Sequence, residues 1–271
     1  MKSFVREKKI YCGENYLEVD IFPYTEIQVQ VSRKGKRAKK EKISEPKQRN
    51  LNDKNARRYL TQLANTNFGE DDLHVTATYK NKFLPATIEE AEKEVTNYLR
   101  RVSYRRKKEG LPPLQYILVT EYSTGKDGEK PVRIHHHIFM NGGLERDIVE
   151  DLWCRRKQKG QKKGERIGYI NADRLQPDEN GVAALCAYLT KNPNGKKRWS
   201  SSQNLEKPWS RSNDHKYSKR QIEDMAKNPP DLAFWEKKYE GWTLAGGDYA
   251  VKAEYNEHTG WSMYLKLRRR A

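Results

Sequence analysis

Three of the six histidines stand together as His135, His136 and His137 in the stretch VRIHHHIFM, whose composition predicts a strand. Side chains alternate faces along a strand, so His135 and His137 share one side. His136 points the other way with Ile134, Ile138 and Met140. Two neutral imidazoles at i and i+2 can hold one divalent ion while leaving most of its coordination sphere open. Glu121, in the preceding strand-like stretch QYILVTEY, offers the carboxylate such a site needs. A hairpin that sets Glu121 opposite His135 brings all three groups to one face. A His/His/carboxylate set with vacant positions suits Mn or Mg acting as a Lewis acid on a phosphate oxygen, rather than a closed structural site. The plain alternative is three hydrogen-bonded or exposed histidines on an ordinary strand.

Phosphodiester chemistry also needs an attacking group. Water makes a nuclease, and a side chain makes a covalent intermediate. The segment VAALCAYLTKNPNG predicts a helix with an apolar stripe of Val182, Leu185, Cys186 and Leu189. Tyr188 lies on the flank of that stripe and Lys191 about one turn further on. The tyrosine hydroxyl can be aimed at a polarised phosphorus, and the lysine ammonium offsets charge on the nucleophile or the transition state. Tyr-x-x-Lys recurs at Tyr79, Tyr104 and Tyr249, and only Tyr188 combines it with a helix that follows the sheet. Otherwise Tyr188 is an amphipathic residue covering a helix edge.

The elements that must position these residues follow from periodicity and punctuation. LHVTATY (73–79) predicts a strand, TIEEAEKEVTNYLRRVSYRRKK (87–108) a helix opened by a Thr cap, and QYILVTEY (115–122) a second strand. VRIHHHIFM (132–140) is the third, followed by a helix over about 144–158, a basic loop, and a fourth strand at RIGYINADRL (166–175). The order β-α-β-β-α-β predicts an α+β fold, a ferredoxin-like (RRM-like) antiparallel sheet with helices on one face. A further helix over 181–192 carries Tyr188. Before this domain, NYLEVDIF and TEIQVQV read as two short strands and LNDKNARRYLTQLANTNF as a helix. After it come helices near 217–227 and 231–239 and a hairpin of WTLAGGDYAVKAEY with GWSMYLKLRR. The expected organisation is a basic N-terminal extension (1–70), a catalytic domain (71–195) and a C-terminal extension (196–271).

The partner follows from charge. Of 271 residues, 54 are Lys or Arg against 37 Asp or Glu, a net charge of +17. The cations cluster in RKGKRAKKEK, RRVSYRRKK, RRKQKGQKK, GKKR and the terminal KLRRR, which together predict a polyanion-binding surface. Each run taken alone could be a solvated face. An anionic membrane ranks lower, because none of the runs lies on a clearly amphipathic helix. Cys12, Cys154 and Cys186 show neither a CxxC nor a zinc-ligand spacing, so no disulfide framework or zinc ribbon is implied. No apolar run is long enough to span a membrane and the first residues lack a signal-peptide core, so a soluble, cytoplasmic protein is expected.

LHVTATY, YILVTEY with RIHHHIFM, and AYLTK occur in the order of motifs I, II and III of the HUH endonuclease superfamily. Within it the chain resembles rolling-circle replication initiators (Rep proteins) of phages and plasmids, over about residues 46–210. The resemblance implies an HUH endonuclease domain that nicks and joins single-stranded origin DNA. His135, His137 and Glu121 would bind Mn or Mg, Tyr188 would form a 5′-phosphotyrosyl link, and Lys191 would assist. It also implies an origin with a hairpin and a bacterial host cell supplying polymerase. No Walker A motif is present, so a host helicase is implied. His136 sits where a bulky apolar or aromatic residue is usual, and the motif III helix holds a single tyrosine. Relaxases and HUH transposases share the chemistry but place or size these parts differently. A reading from another class is a non-catalytic basic module that binds single strands by stacking.

Overall fold

The computed structural model describes residues 3–33, 46–123, 132–161, 163–190, 199–246 and 250–270. The chain opens with two strands, β1 (Ser3–Cys12) and β2 (Tyr16–Thr25), then α1 (Glu26–Arg33) and α2 (Pro46–Asn67). Next come β3 (Leu73–Ala77), α3 (Ile88–Lys108), β4 (Tyr116–Ser123), β5 (Val132–Met140), α4 (Arg146–Asp151), β6 (Ile170–Arg174) and α5 (Ala183–Leu189). The remainder is β7 (Ser200–Ser201), β8 (Trp209–Asn213), α6 (Lys219–Lys227), α7 (Leu232–Lys238), β9 (Trp242–Leu244), β10 (Val251–Asn256) and β11 (Gly260–Arg269). This is a mixed α+β chain with antiparallel sheets.

Two compact units emerge. One comprises Asn67–Pro177 and Val182–Glu206. Its five-stranded sheet has the order β6-β3-β5-β4-β7. Alternation sends Val75, Ala77, Leu118, Ile138 and Met140 into one core, shared with Val95, Tyr98, Leu99 and Val102 of α3 and Val149 of α4. Helix α3 starts where its cap predicts: the Thr87 side chain accepts a hydrogen bond from the Glu90 N–H at 3.2 Å. Arg106, within one of the basic runs, is buried rather than facing solvent. It donates to the carbonyls of Pro112, Asn141 and Gly142 at 2.9, 2.9 and 2.7 Å. The helix expected over 144–158 is confined to α4. Beyond it the chain turns to bury Trp153, whose indole donates to the Thr78 carbonyl at 2.8 Å, and to pair Cys154 with Arg166.

The other unit joins Met1–Thr66, Asp178–Gly181 and Lys207–Ala271. Segments expected as separate N- and C-terminal extensions thus share one sheet, of order β10-β11-β2-β1-β8, with β9 also pairing to β11. One face packs Val5, Leu17, Val19, Ile21, Met263, Leu265 and Leu267 against Ile222, Met225, Trp235 and Trp242. On the other, Arg58 of α2 forks to Asp20 at 2.6 and 2.9 Å and reaches Glu18 at 2.7 Å. TEIQVQV, expected as a strand, is largely α1. A reciprocal cap explains the correction: the Gln28 N–H donates to the Thr25 hydroxyl at 3.3 Å, and the Thr25 N–H to the Gln28 side-chain carbonyl at 3.0 Å. The run RKGKRAKKEK falls almost wholly outside the described residues, as do GKKR and most of the segment between β4 and β5.

Candidate metal centre and nucleophile

The register of β4 against β5 sets Glu121 opposite His135, Thr120 opposite His136 and Val119 opposite His137. Alternation then carries Glu121, His135 and His137 to the face away from α3. Glu121 Oε2 lies 3.3 Å from His135 Nε2 and 3.7 Å from His137 Nε2, and the three ligand atoms fall within 4.8 Å of one another. Two ligands at right angles about 2.1 Å from a Mg-sized ion stand about 3.0 Å apart, so a modest inward movement makes this a coordination set.

Hydrogen bonding on the far side of each ring decides which nitrogen faces the carboxylate. His135 Nδ1 is 2.8 Å from the Arg133 carbonyl, which only accepts, so Nδ1 carries the proton and Nε2 keeps its lone pair. His137 Nδ1 is 3.2 Å from both Thr76 Oγ1 and His74 Nε2. The His137 ring stacks on His74 at 5.3 Å and 16°. Its Nε2 is buried without a hydrogen-bond partner. A buried polar atom in that position is costly unless something binds it, and it points toward a carboxylate and a second imidazole. Burial, with His135 and His74 close by, pushes the His137 pKa down to about 3, so the ring is neutral and can act as a ligand across ordinary pH. The donor set therefore fits a divalent cation with two nitrogens and one carboxylate, and such a set leaves positions open for a phosphate oxygen.

Helix α5 buries Cys186 and Leu189 and leaves Tyr188 64% exposed. The Tyr188 ring stands 6.3 Å from that of His137 at 80°. The structure therefore brings together Glu121, His135, His137 and Tyr188, while Lys191 lies outside the described residues.

Four further residues frame the site without having been singled out from sequence. His74 and Thr76 support His137 from β3, and the alternation in LHVTATY, polar at 74 and 76 against apolar at 73, 75 and 77, is the signal that could have found them. Tyr79 and Thr120 hold His136, with Tyr79 Oη 2.7 Å from Nε2 and Thr120 Oγ1 2.9 Å from Nδ1. His136 is fully buried, and burial drives its pKa down to about 3.

No curated protein and no solved structure matches the chain. Residues 72–193, the stretch holding Glu121, His135, His137 and Tyr188, match the family model of the Replication-associated protein ORF2, a rolling-circle replication family, and the match supports a Rep-type protein.

Proposed function

We propose that this chain initiates rolling-circle replication by nicking and rejoining single-stranded origin DNA through a tyrosyl intermediate. One observation carries the reading: a neutral imidazole with an orphaned nitrogen faces a second imidazole and a carboxylate, with an exposed tyrosine ring beside it. The sheet order β6-β3-β5-β4, with α3 and α4 sharing one core, is consistent with a ferredoxin-like HUH endonuclease domain.

Glu121, His135 and His137 would hold Mn or Mg, which when bound supplies a Lewis acid for a non-bridging phosphate oxygen. Arg133, Thr76 and His74 keep the two rings in the tautomers that ligation requires. Tyr188 Oη attacks the phosphorus, forming a tyrosyl phosphodiester as the bond to the 3′-oxygen breaks. The phenol loses one proton and the departing 3′-oxygen gains one, leaving a free 3′-hydroxyl that can prime synthesis. Exchange of one phosphodiester for another conserves much of the bond's free energy, so the 3′-hydroxyl can attack in reverse and rejoin the strand. Lys191 is assigned the supporting charge on sequence alone. With one tyrosine on α5, termination calls for a second protomer or another nucleophile. A host helicase and polymerase complete the reaction sequence.

The test is incubation with single-stranded origin DNA, carrying its hairpin, and Mn. The expected result is a covalent adduct that survives denaturing electrophoresis and maps by mass spectrometry to Tyr188. A salt-sensitive mobility shift with no adduct would instead mark a non-catalytic binding module.

A further inference from the structure

The edge of the six-stranded sheet presents aromatic and basic side chains in register. β1 pairs with β8 so that Tyr11 faces Trp209 and Lys9 faces Arg211, and alternation puts all four on one side. The Tyr11 and Trp209 rings stack at 4.0 Å and 11°, yet Trp209 remains 59% exposed. An indole held flat by a ring beside it and still open to solvent is a ready stacking surface. Open clefts of ≈ 490 and ≈ 480 Å³ meet at Tyr11. The first is walled by Lys9, Arg211 and Lys216, the second by Trp209, Trp242 and Arg269.

The charges there are not cancelled internally. Glu7 is occupied by Lys216 and by the Tyr239 hydroxyl, each at 2.7 Å, and Asp214 is forked by Arg6 at 2.6 and 2.8 Å. Neither Lys9 nor Arg211 has a carboxylate ion-pair partner among the described residues. Burial pushes the Lys9 ammonium below its ordinary range, and Lys216 and Arg211 push the same way against Glu7. Three crowded cations beside a stacked indole are complementary to a phosphate linked to a planar base.

We propose that this face is a second nucleic-acid site, on the unit that does not hold the metal ligands, where an unpaired base stacks on Trp209 and its phosphate meets Lys9 and Arg211. Stacking is indifferent to base identity, so the site tracks single strands rather than reading sequence. The choice of DNA over RNA rests on the proposed replication function; the surface itself does not.

The experiment titrates the full chain, in chelator so that nothing is cut, against fluorescein-labelled dT12 and against an oligonucleotide containing 2-aminopurine. Trp209→Ala is expected to weaken dT12 binding about 5- to 100-fold and to abolish 2-aminopurine quenching, while Trp209→Phe retains most of both. Arg211→Ala is expected to flatten the slope of log affinity against log salt by about 0.7, the signature of one lost phosphate contact to a single strand. Unchanged affinity in Trp209→Ala together with an unchanged slope in Arg211→Ala overturns the site. If Trp209→Ala fails to fold, the Arg211→Ala slope and Trp209→Phe quenching decide. Tighter binding of rU12 than dT12 overturns the assignment to DNA. Adduct formation by the unmodified protein with Mn is scored in parallel, so failure of the nicking chemistry and failure of this surface give different results.

Discussion

His74 and Thr76 make the supporting shell of the metal centre measurable. His137 can ligate only with its proton on Nδ1, where the acceptors are His74 Nε2 and Thr76 Oγ1, each at 3.2 Å. Burial pushes the His74 pKa down, so that ring is neutral and its Nε2 can accept. Consider His74→Phe with Thr76→Val, which keeps a ring against His137 and removes both acceptors. Without metal, the His137 proton can shift to Nε2 and face Glu121 Oε2, 3.7 Å away, at little cost. With metal bound the proton must return to Nδ1, now buried and unsatisfied, a penalty of about 1–3 kcal/mol. That penalty falls on the bound state alone, so Mn affinity should drop about 5- to 150-fold, in keeping with the roughly 10- to 100-fold typical of such supporting groups. His74→Phe alone leaves the Thr76 hydroxyl in place and should lose less than about tenfold. Calorimetric titration with Mn reads the affinity, and thermal melting in chelator checks that each variant is folded. A folded double variant that binds Mn as tightly as the parent refutes the tautomer argument.

Tyr188→Phe should abolish the denaturation-resistant adduct while shifting unfolding by less than about 0.5 kcal/mol, because the side chain is largely exposed; residual adduct would move the chemistry elsewhere. Arg58→Ala strands the buried Glu18 and Asp20 carboxylates and should cost about 3 kcal/mol in urea unfolding, with lysine restoring only part because it cannot fork. His136 and His137 stay neutral in the folded protein down to about pH 3, whereas in the unfolded chain they protonate near pH 6.5. The unfolded state therefore binds more protons between those values, and stability falls on acidification by up to about 2.7 kcal/mol per pH unit. Urea midpoints at pH 7, 6 and 5 test this, and a flat profile contradicts it. A Cβ at Gly168 would overlap the Thr78 carbonyl oxygen, so Gly168→Ala should destabilise by about 2–3 kcal/mol in the same assay.

The unit that holds the metal ligands was readable because its signals are local. A Thr cap with early glutamates fixes the start of α3, and period-2 alternation in three short runs fixes β3, β4 and β5. The terminal unit was not, since β1 and β8 are separated by nearly the whole chain and only their pairing makes a sheet of them. Alternation also misled at TEIQVQV, where Ile27 and Val31 read as one face of a strand. They lie a helical turn apart on α1 and are 49% and 65% exposed, so no burial enforces either period and the Thr25–Gln28 cap decides. Charge counting overreached at Arg106, whose guanidinium spends its donors on backbone carbonyls inside the unit.

At the candidate site, parity alone placed Glu121, His135 and His137 on one face, because a one-residue slip would have sent the whole set to the other side. What parity could not supply was the reason for a histidine at 136, where bulk and apolarity are expected. The buried ring fills that volume among Tyr79 and Trp153, with centroids 5.6 and 6.1 Å away. A neutral imidazole offers one donor and one acceptor, and Tyr79 Oη and Thr120 Oγ1 satisfy both nitrogens. His136 is thus an apolar-sized plug whose polarity is fully matched, and the contrast with His137 is the informative one. Adjacent, equally deprotonated rings differ in that one has both nitrogens partnered while the other keeps Nε2 unpartnered beside a carboxylate. A strand with three histidines serves two ends at once, with the middle ring locking the sheet to its helical core and the outer pair left to bind.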